Sequence, residues 1–314
     1  MIRKNKIVLV TGGAGFVGSH LSEKLKDLGH YVLVLDNFTT GKNKIDGVEY
    51  IQGDIRDLET VRDLVKEVDE VYHLAAAVGV KYVFENPEYS FEANVIGSYN
   101  VMKSCLFYSK PCVFVSSSAV YGKSRKSEKN EDDDVTFGAP QNQEWHYSFQ
   151  KGVMDGLFCY LGKKTKLFKV IRLFNCIGKN QVGYYGMVVP RFINWALKNE
   201  PILVYGDGKQ TRTFIDVRDA VRGIILVAEK GEYGEPYNVG GEEEISILEL
   251  AKLIKKLTKS KSPIRLISYK DAFGKDNFDE TRKRKPNIDK IKKLGFEINY
   301  NLEDTILWIL GEKE

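Results

Sequence analysis

Ser117, Tyr147 and Lys151 have the residue types and spacing to move a proton. Tyr147 and Lys151 stand four apart in a stretch, 147–161, whose pattern predicts a helix, so they share one face about a turn apart. Ser117 ends an apolar run that predicts a buried strand. A phenol titrates near 10 and is a poor base at neutral pH, so bringing it to about 7 takes roughly 4 kcal/mol. A lysine ammonium and a positively charged nicotinamide ring nearby favour the phenolate. Such a phenolate takes the proton of a sugar or alcohol hydroxyl while hydride leaves the same carbon, and the serine holds the oxygen in line. Tyr-x-x-x-Lys alone is common chance spacing, so its weight depends on what positions it.

The positioning elements start at residues 7–18, IVLVTGGAGFVG. An apolar run predicts a strand, glycines break it, and an amphipathic helix follows. Gly12, Gly15 and Gly18 permit a tight turn, close approach to a pyrophosphate and close helix–strand packing. The helix N-terminus then offers N–H groups to phosphate. A second apolar run ends in Asp36, whose carboxylate can accept both adenosine ribose hydroxyls and would repel a 2′-phosphate. The cofactor reading is NAD. The polar turn 37–42, holding Asn37, Thr39 and Gly41, wraps the adenosine side. Asp54 and Ile55 could bracket the adenine, amino group and face respectively; the alternative is a helix cap at Asp54 or Asp57. Ala75, Ala76 and Ala77 after the next strand let backbone approach the cofactor. Ligands bind at the carboxyl ends of strands in such sheets, where all these residues fall.

Alternating strand and helix predict an α/β fold, a Rossmann-type doubly wound parallel sheet. After Phe174 the alternation loosens, predicting a smaller C-terminal substrate-binding lobe. The expected boundaries are 1–174 for the NAD-binding domain, with part of 211–240 returning to it, and 175–210 with 241–314 for the lobe. The charge-rich segment 123–134 reads as a solvated loop.

The chain has 314 residues, net charge +4, 43% hydrophobic and 29% charged residues, which fits a soluble globular protein. No basic helix or aromatic-studded strand pair suggests nucleic-acid binding, and no apolar stretch is long enough for a signal peptide or membrane span. The four cysteines have no metal spacing, so reduced thiols, a cytoplasmic location and no metal site are expected. His73 and His146 read as packing or surface residues.

TGGAGFVGSH, LDNFTTG, GDIRD, HLAAAVGVKY, VSSSAVYG, YSFQK, RLFN and GDGKQTRTFIDVRDAV occur in this order. The chain resembles the extended short-chain dehydrogenase/reductase family, in its NAD-dependent nucleotide-sugar epimerase/dehydratase branch. The resemblance implies bound NAD, a UDP-sugar substrate and usually a homodimer, with Ser117, Tyr147 and Lys151 catalytic, Tyr147 and Lys151 also touching the cofactor and Ser117 the substrate. It assigns Phe16, Val17, Leu74, Asn94 and Phe174 to the cofactor, with the glycine-turn and adenosine residues above. Lys81 falls where family members touch the cofactor and is counted with the substrate contacts. Ser118, Asn175, Val188 and Arg212 are assigned to the substrate, and Phe214 lies near the nucleotide. Arg282 or Arg284 could reach the diphosphate or a sugar carboxylate; a solvated basic loop is the other reading.

Dehydratases of this branch carry Asp-Glu after the catalytic hydroxyl residue, where this chain has Ser118 and Ala119. Uronate decarboxylases usually keep a Glu at the Ala119 position. The simplest remaining reaction is epimerisation at C4 of a UDP-hexose of the glucose/galactose type through a 4-keto intermediate. GYYGMVVPRF and RKRKP resemble a subgroup with UDP-glucuronate 4-epimerases and decarboxylases, the alternative, for which Lys179 could partly supply a missing arginine's charge. Readings of another class are a net NAD-dependent sugar reductase and a non-catalytic NAD-binding module.

Overall fold

Apolar runs of four to six residues separated by amphipathic helices become strands buried on both faces. In chain order the strands of the first half are β1 (Ile7–Thr11), β2 (Tyr31–Asp36), β3 (Glu49–Gln52), β4 (Glu70–His73), β5 (Cys112–Ser117), β6 (Glu128–Lys129) and β7 (Phe168–Leu173). They continue as β8 (Cys176–Ile177), β9 (Ile202–Tyr205), β10 (Thr211–Thr213), β11 (Ile215–Asp216), β12 (Pro236–Val239), β13 (Glu244–Ser246), β14 (Ile264–Ile267) and β15 (Lys283–Pro286). The α-helices are α1 (Phe16–Asp27), α2 (Leu58–Glu67), α3 (Val80–Glu85), α4 (Pro87–Phe91), α5 (Ser98–Phe107) and α6 (His146–Thr165). Then come α7 (Val188–Leu197), α8 (Val217–Lys230), α9 (Ile247–Leu257), α10 (Tyr269–Phe273), α11 (Asp289–Lys292) and α12 (Leu302–Leu310). This computed structural model describes residues 6–183, 187–273 and 281–313; the side chains of residues 80, 81 and 273 lie outside the described set.

Seven strands form one parallel sheet in the order β12-β7-β5-β4-β1-β2-β3. The order reverses between β1 and β4, which opens a crevice at their carboxyl ends. The sheet is doubly wound, as the alternation predicts. One face packs on α1 and α8 through Val10, Leu21, Val34, Ile171 and Ile224. The other packs on α2, α5 and α6 through Leu9, Val61, Val101, Phe114 and Phe158. The Phe114 and Phe158 rings stack at 4.3 Å and 7°, which fixes α6, and the face carrying Tyr147 and Lys151, against the sheet.

The late segments build a second core around Val189, Phe192, Ile202, Leu250, Ile254 and Ile306. Ser246 starts α9 with a reciprocal capping box to Glu249. A four-stranded sheet, β13-β10-β15-β6, joins segments far apart in sequence.

Segment 123–134 is not a solvated loop. It contains β6, which pairs with β15 (Pro286 opposite Lys129), and Lys129 is fully buried. Its ammonium donates to the carbonyls of Ser124 at 2.7 Å and Lys126 at 2.6 Å, which bind the segment into a compact turn.

Candidate active site

The glycine turn has the shape a pyrophosphate requires. Gly12 has φ +74°, and a Cβ there would lie 2.6 Å from the Ala75 nitrogen. A Cβ on Gly18 would strike the Gly12 carbonyl, so helix and strand could not pack as closely. Gly15 precedes α1 without a side-chain cap, and no acidic residue occupies the first turn, where half-buried Phe16 and Val17 sit. The first N–H groups are thus free of protein acceptors on side chains. Gly41 is buried, its Cβ position 2.6 Å from the Ala14 carbonyl and the Gly15 nitrogen; it acts by letting the 37–42 turn lie on the glycine turn.

Asp36 ends β2, buried, with one oxygen accepting from the Ala14 N–H at 3.0 Å and the other from Phe38 N–H at 2.8 Å. Burial raises its pKa, against those two hydrogen bonds. Asn37 donates to Asp54 at 2.9 Å and to the Tyr89 hydroxyl at 2.8 Å, and Thr39 is exposed. These groups fit NAD: a cradle that any Cβ would fill, an uncapped helix start, and a carboxylate where a 2′-phosphate would be repelled.

Three residues expected at the cofactor are engaged within the protein. The Asp54 carboxylate is held by both ends of Arg56 at 3.0 Å as well as by Asn37, and its side chain stays partly exposed. The cap of α2 is Asp57. Ile55 turns into the core against the Gly97 position, so its face is not offered to a ring. Asn94 has 0% exposure; its amide accepts from Ala77 N–H at 2.8 Å and donates to the Ala77 carbonyl at 3.0 Å and to Gln150 at 2.8 Å. It therefore shapes the loop of Leu74, Ala75 and Ala76, which are half-buried, rather than meeting a ligand.

His73, read as packing or surface, is buried behind that loop. Its ring bonds Thr11 Oγ1 at 2.7 Å and Ser98 Oγ at 2.9 Å, and Ala75 N–H donates to Thr11 Oγ1 at 3.3 Å. Burial, with the charge of Lys151 nearby, pushes its pKa down to about 3, so the ring is neutral. Phe174 is fully buried, 5.9 Å from the Tyr121 ring, and forms a wall rather than a contact surface.

Ser117, Tyr147 and Lys151 are brought together. Ser117 Oγ accepts from Ala119 N–H at 3.2 Å, and Ser117 acts on the Tyr147 phenol as a neighbour that favours its ionised form. Tyr147 sits in the first turn of α6. Lys151 is 2% exposed, its ammonium 3.2 Å from the Val115 carbonyl and 4.9 Å over the Phe114 ring. Burial lowers the Lys151 pKa to about 8, and Asp155 opposes that shift. Burial raises Tyr147 to about 12, against Ser117 and the charge of Arg284. Arg284 is a second cation, whose charge opposes that burial, in addition to Lys151 one helical turn away on the same face of α6. Ser118 and Ala119 are buried, and Ala119 puts no acid beside Ser117.

The residues expected on the substrate side come from the late strands. Asn175, half-buried, donates to the Thr213 carbonyl at 2.8 Å. Arg212 on β10 donates to the Thr211 carbonyl at 2.7 Å and stands opposite Arg284 of β15. Of the two arginines left open, Arg282 is exposed and pairs with Asp207 at 2.8 Å, away from the phenol. Arg284 lies within β15, half-buried, and its charge acts on Tyr147. Sequence reading leaves the two open because strand alternation, which sends 282 and 284 to the face opposite 283, does not tell which arginine meets a partner from another segment. Val188 opens α7 and packs on the second core. The side chain of Lys81 lies outside the described residues. Lys179 rests 4.9 Å over the Trp308 ring. Among the described residues no group of three or more His, Cys, Asp or Glu could hold a metal ion, and no helix is long and apolar enough to cross a membrane.

The NAD dependent epimerase/dehydratase family matches residues 8–240. A UDP-N-acetyl-alpha-D-glucosaminuronate decarboxylase of Bacillus cytotoxicus is 38% identical, over 96% of this chain and 97% of its own. UDP-glucuronic acid decarboxylase 1 of Danio rerio is 35% identical, over 96% of this chain and 71% of its own. Among solved structures, a UDP-glucose 4-epimerase of Thermotoga maritima with UDP-glucose superposes with TM-score 0.88 at 27% identity, covering 98% of each chain.

Proposed function

The chain belongs to the NAD dependent epimerase/dehydratase family, and from that premise we propose that it acts on a UDP-linked uronate, oxidising C4 to a ketone, losing the C5 carboxylate as CO₂ and reducing C4 again. The glycine turn and Asp36 would hold NAD, which when bound would supply the acceptor and donor for the hydride at C4. Tyr147 removes the proton of the C4 hydroxyl and later gives it back, and Ser117 holds that oxygen. Lys151 keeps positive charge beneath the phenol. Once C4 is a ketone, the substrate is a β-keto acid. The C5–carboxyl bond then breaks, its electron pair forms an enolate between C5 and the C4 oxygen, CO₂ leaves, and C5 takes a proton from solvent water. The Arg284 guanidinium meets the negative oxygen that develops at C4 in that step.

The observation that carries this reading is the pairing of β10 with β15, which sets Arg212 opposite Arg284 and so gathers two cations that a diphosphate and a carboxylate would meet. The uronate decarboxylases at 38% and 35% identity support it. A second reading, epimerisation at C4 of a UDP-hexose, is favoured by Ala119, which leaves no acid beside Ser117, and by the superposing UDP-glucose 4-epimerase. Incubation with UDP-glucuronate, UDP-N-acetylglucosaminuronate, UDP-glucose and UDP-N-acetylglucosamine, followed by product NMR and CO₂ measurement, separates the two. CO₂ from a uronate supports the first; a C4 epimer without CO₂ supports the second.

The late segments around Phe192 and Ile254 act in this reading as the substrate lobe. We also propose a homodimer through the outer faces of α5 and α6 and the turn before α5, where Ile96, Tyr99, Phe107, Val153 and Tyr160 are exposed. Light scattering on the purified protein tests it; a monomer at micromolar concentration contradicts it.

A further inference from the structure

Asp155 lies one helical turn beyond Lys151 on the inner face of α6, and both are buried. Its carboxylate pairs with Arg172 of β7 at 2.8 Å, with a second contact at 3.2 Å. Arg172 also donates to the Tyr121 hydroxyl at 3.1 Å and the Glu131 carbonyl at 2.8 Å. Tyr121 in turn donates to Asn238 at 2.6 Å, and Asn238 N–H to the Glu131 carboxylate at 2.9 Å. The anion is thus locked by groups from β7, the turn after β5 and the strand end at β12. Lys151, by contrast, has the Val115 carbonyl as its hydrogen-bond acceptor, and among the described residues no carboxylate lies within ion-pair distance of it.

We propose that Asp155 is a positioning residue for the reaction, its locked carboxylate keeping Lys151 in the ammonium form beside Tyr147, with Arg172 setting how much of that field Lys151 receives. The inference rests on the role given to Lys151 above. A buried ammonium beside one carbonyl is costly unless an anion lies near. The neighbours of Lys151 sort accordingly. Tyr147 shares its helix face, and His73 approaches from β4 as a neutral ring. The Val115 carbonyl and Phe114 ring come from β5. Asp155 is the acidic group whose charge acts on Lys151, and it raises a pKa that burial draws down. Around Asp155 itself stand Arg172 and the Cys159 thiol, which burial and Asp155 hold protonated.

Lys151 must carry its proton for activity, so its deprotonation sets the alkaline limb of the pH profile. Asp155→Asn removes the anion and moves that limb to lower pH by about one unit. Arg172→Gln releases the Asp155 field towards Lys151 and moves the limb to higher pH. The double variant Asp155→Asn/Arg172→Gln removes a buried anion and cation together, so it tests the field where the single variant fails to fold; its limb still moves down, because the nearer charge is the anion. The profile is measured twice on the NAD-loaded protein: as kcat/KM with the UDP-sugar that turns over, and as NAD retention during dialysis across pH. The second readout does not depend on the sugar, so a wrong substrate reading leaves it intact. Opposite displacement of the two single variants supports the proposal. Limbs fixed at the wild-type position, with only amplitude or melting temperature reduced, or a double variant that restores the wild-type limb, overturn it.

Discussion

The seven-stranded sheet and the four-stranded sheet both send groups towards Tyr147, but they are assembled from different ranges of sequence. Ser117, Tyr147 and Lys151 come from one strand end and one helix, within a few tens of residues, and the glycine turn and Asp36 from adjacent strands. Arg212 and Arg284 come from strands 72 positions apart (284 − 212) that meet only through the parallel pairing of β10 with β15. The chemical half of the site is therefore local and the substrate half non-local. The oxidation step follows from short motifs, whereas the identity of the sugar depends on how distant segments register.

The contrast can be broken in order of effect. Lys151→Met removes the ammonium beneath the phenol and should lower kcat about 10³-fold with little change in the melting temperature; a loss under ten-fold contradicts a local chemical half. Phe192→Ala opens a cavity in the late core and should cost about 3–5 kcal/mol in denaturant unfolding. Because it leaves the glycine turn untouched, NAD content per chain should stay constant below the transition; parallel loss of NAD would show that the two halves unfold as one. Arg284→Met should reduce kcat/KM for a UDP-uronate about 10²-fold, about 2.7 kcal/mol, while changing any turnover of UDP-glucose far less. Equal losses on both sugars would remove the assignment of Arg284 to the decarboxylation step. The smallest effect concerns His73, whose folded pKa of about 3 lies below its ordinary 6.5. Above 6.5 folded and unfolded chains both hold it neutral. As pH falls below 6.5 the unfolded chain takes up a proton that the folded chain refuses, so stability falls by up to about 1.4 kcal/mol per pH unit. Unfolding curves at pH 7 and pH 5 for wild type and His73→Gln check this; identical slopes in the two proteins contradict it.

Legibility follows the same division. Gly12, Asp36, Tyr147 and Lys151 could be read because a turn, a strand end and a helix face each fix their neighbours within a few residues. Asp54 looked free because its partners Arg56 and Asn37 are recognised only once the turn closes. The family resemblance puts Asn94 at the cofactor, but the burial of its amide against Ala77 and Gln150 is not visible in sequence. The run KSRKSEKNEDDD has the composition of a solvated loop, yet Lys129 finds two carbonyls and a strand partner that composition does not reveal. Arg282 and Arg284 are indistinguishable by type, and register against β10 separates them.

The central claim is that the Tyr147 hydroxyl carries the C4 proton of a UDP-sugar. The most direct test is Tyr147→Phe, with NAD content and turnover measured on the same preparation, using the sugar that wild type converts. The account predicts NAD content equal to wild type and turnover reduced by about 10³-fold or more. A variant that keeps its NAD and works within ten-fold of wild type would contradict it.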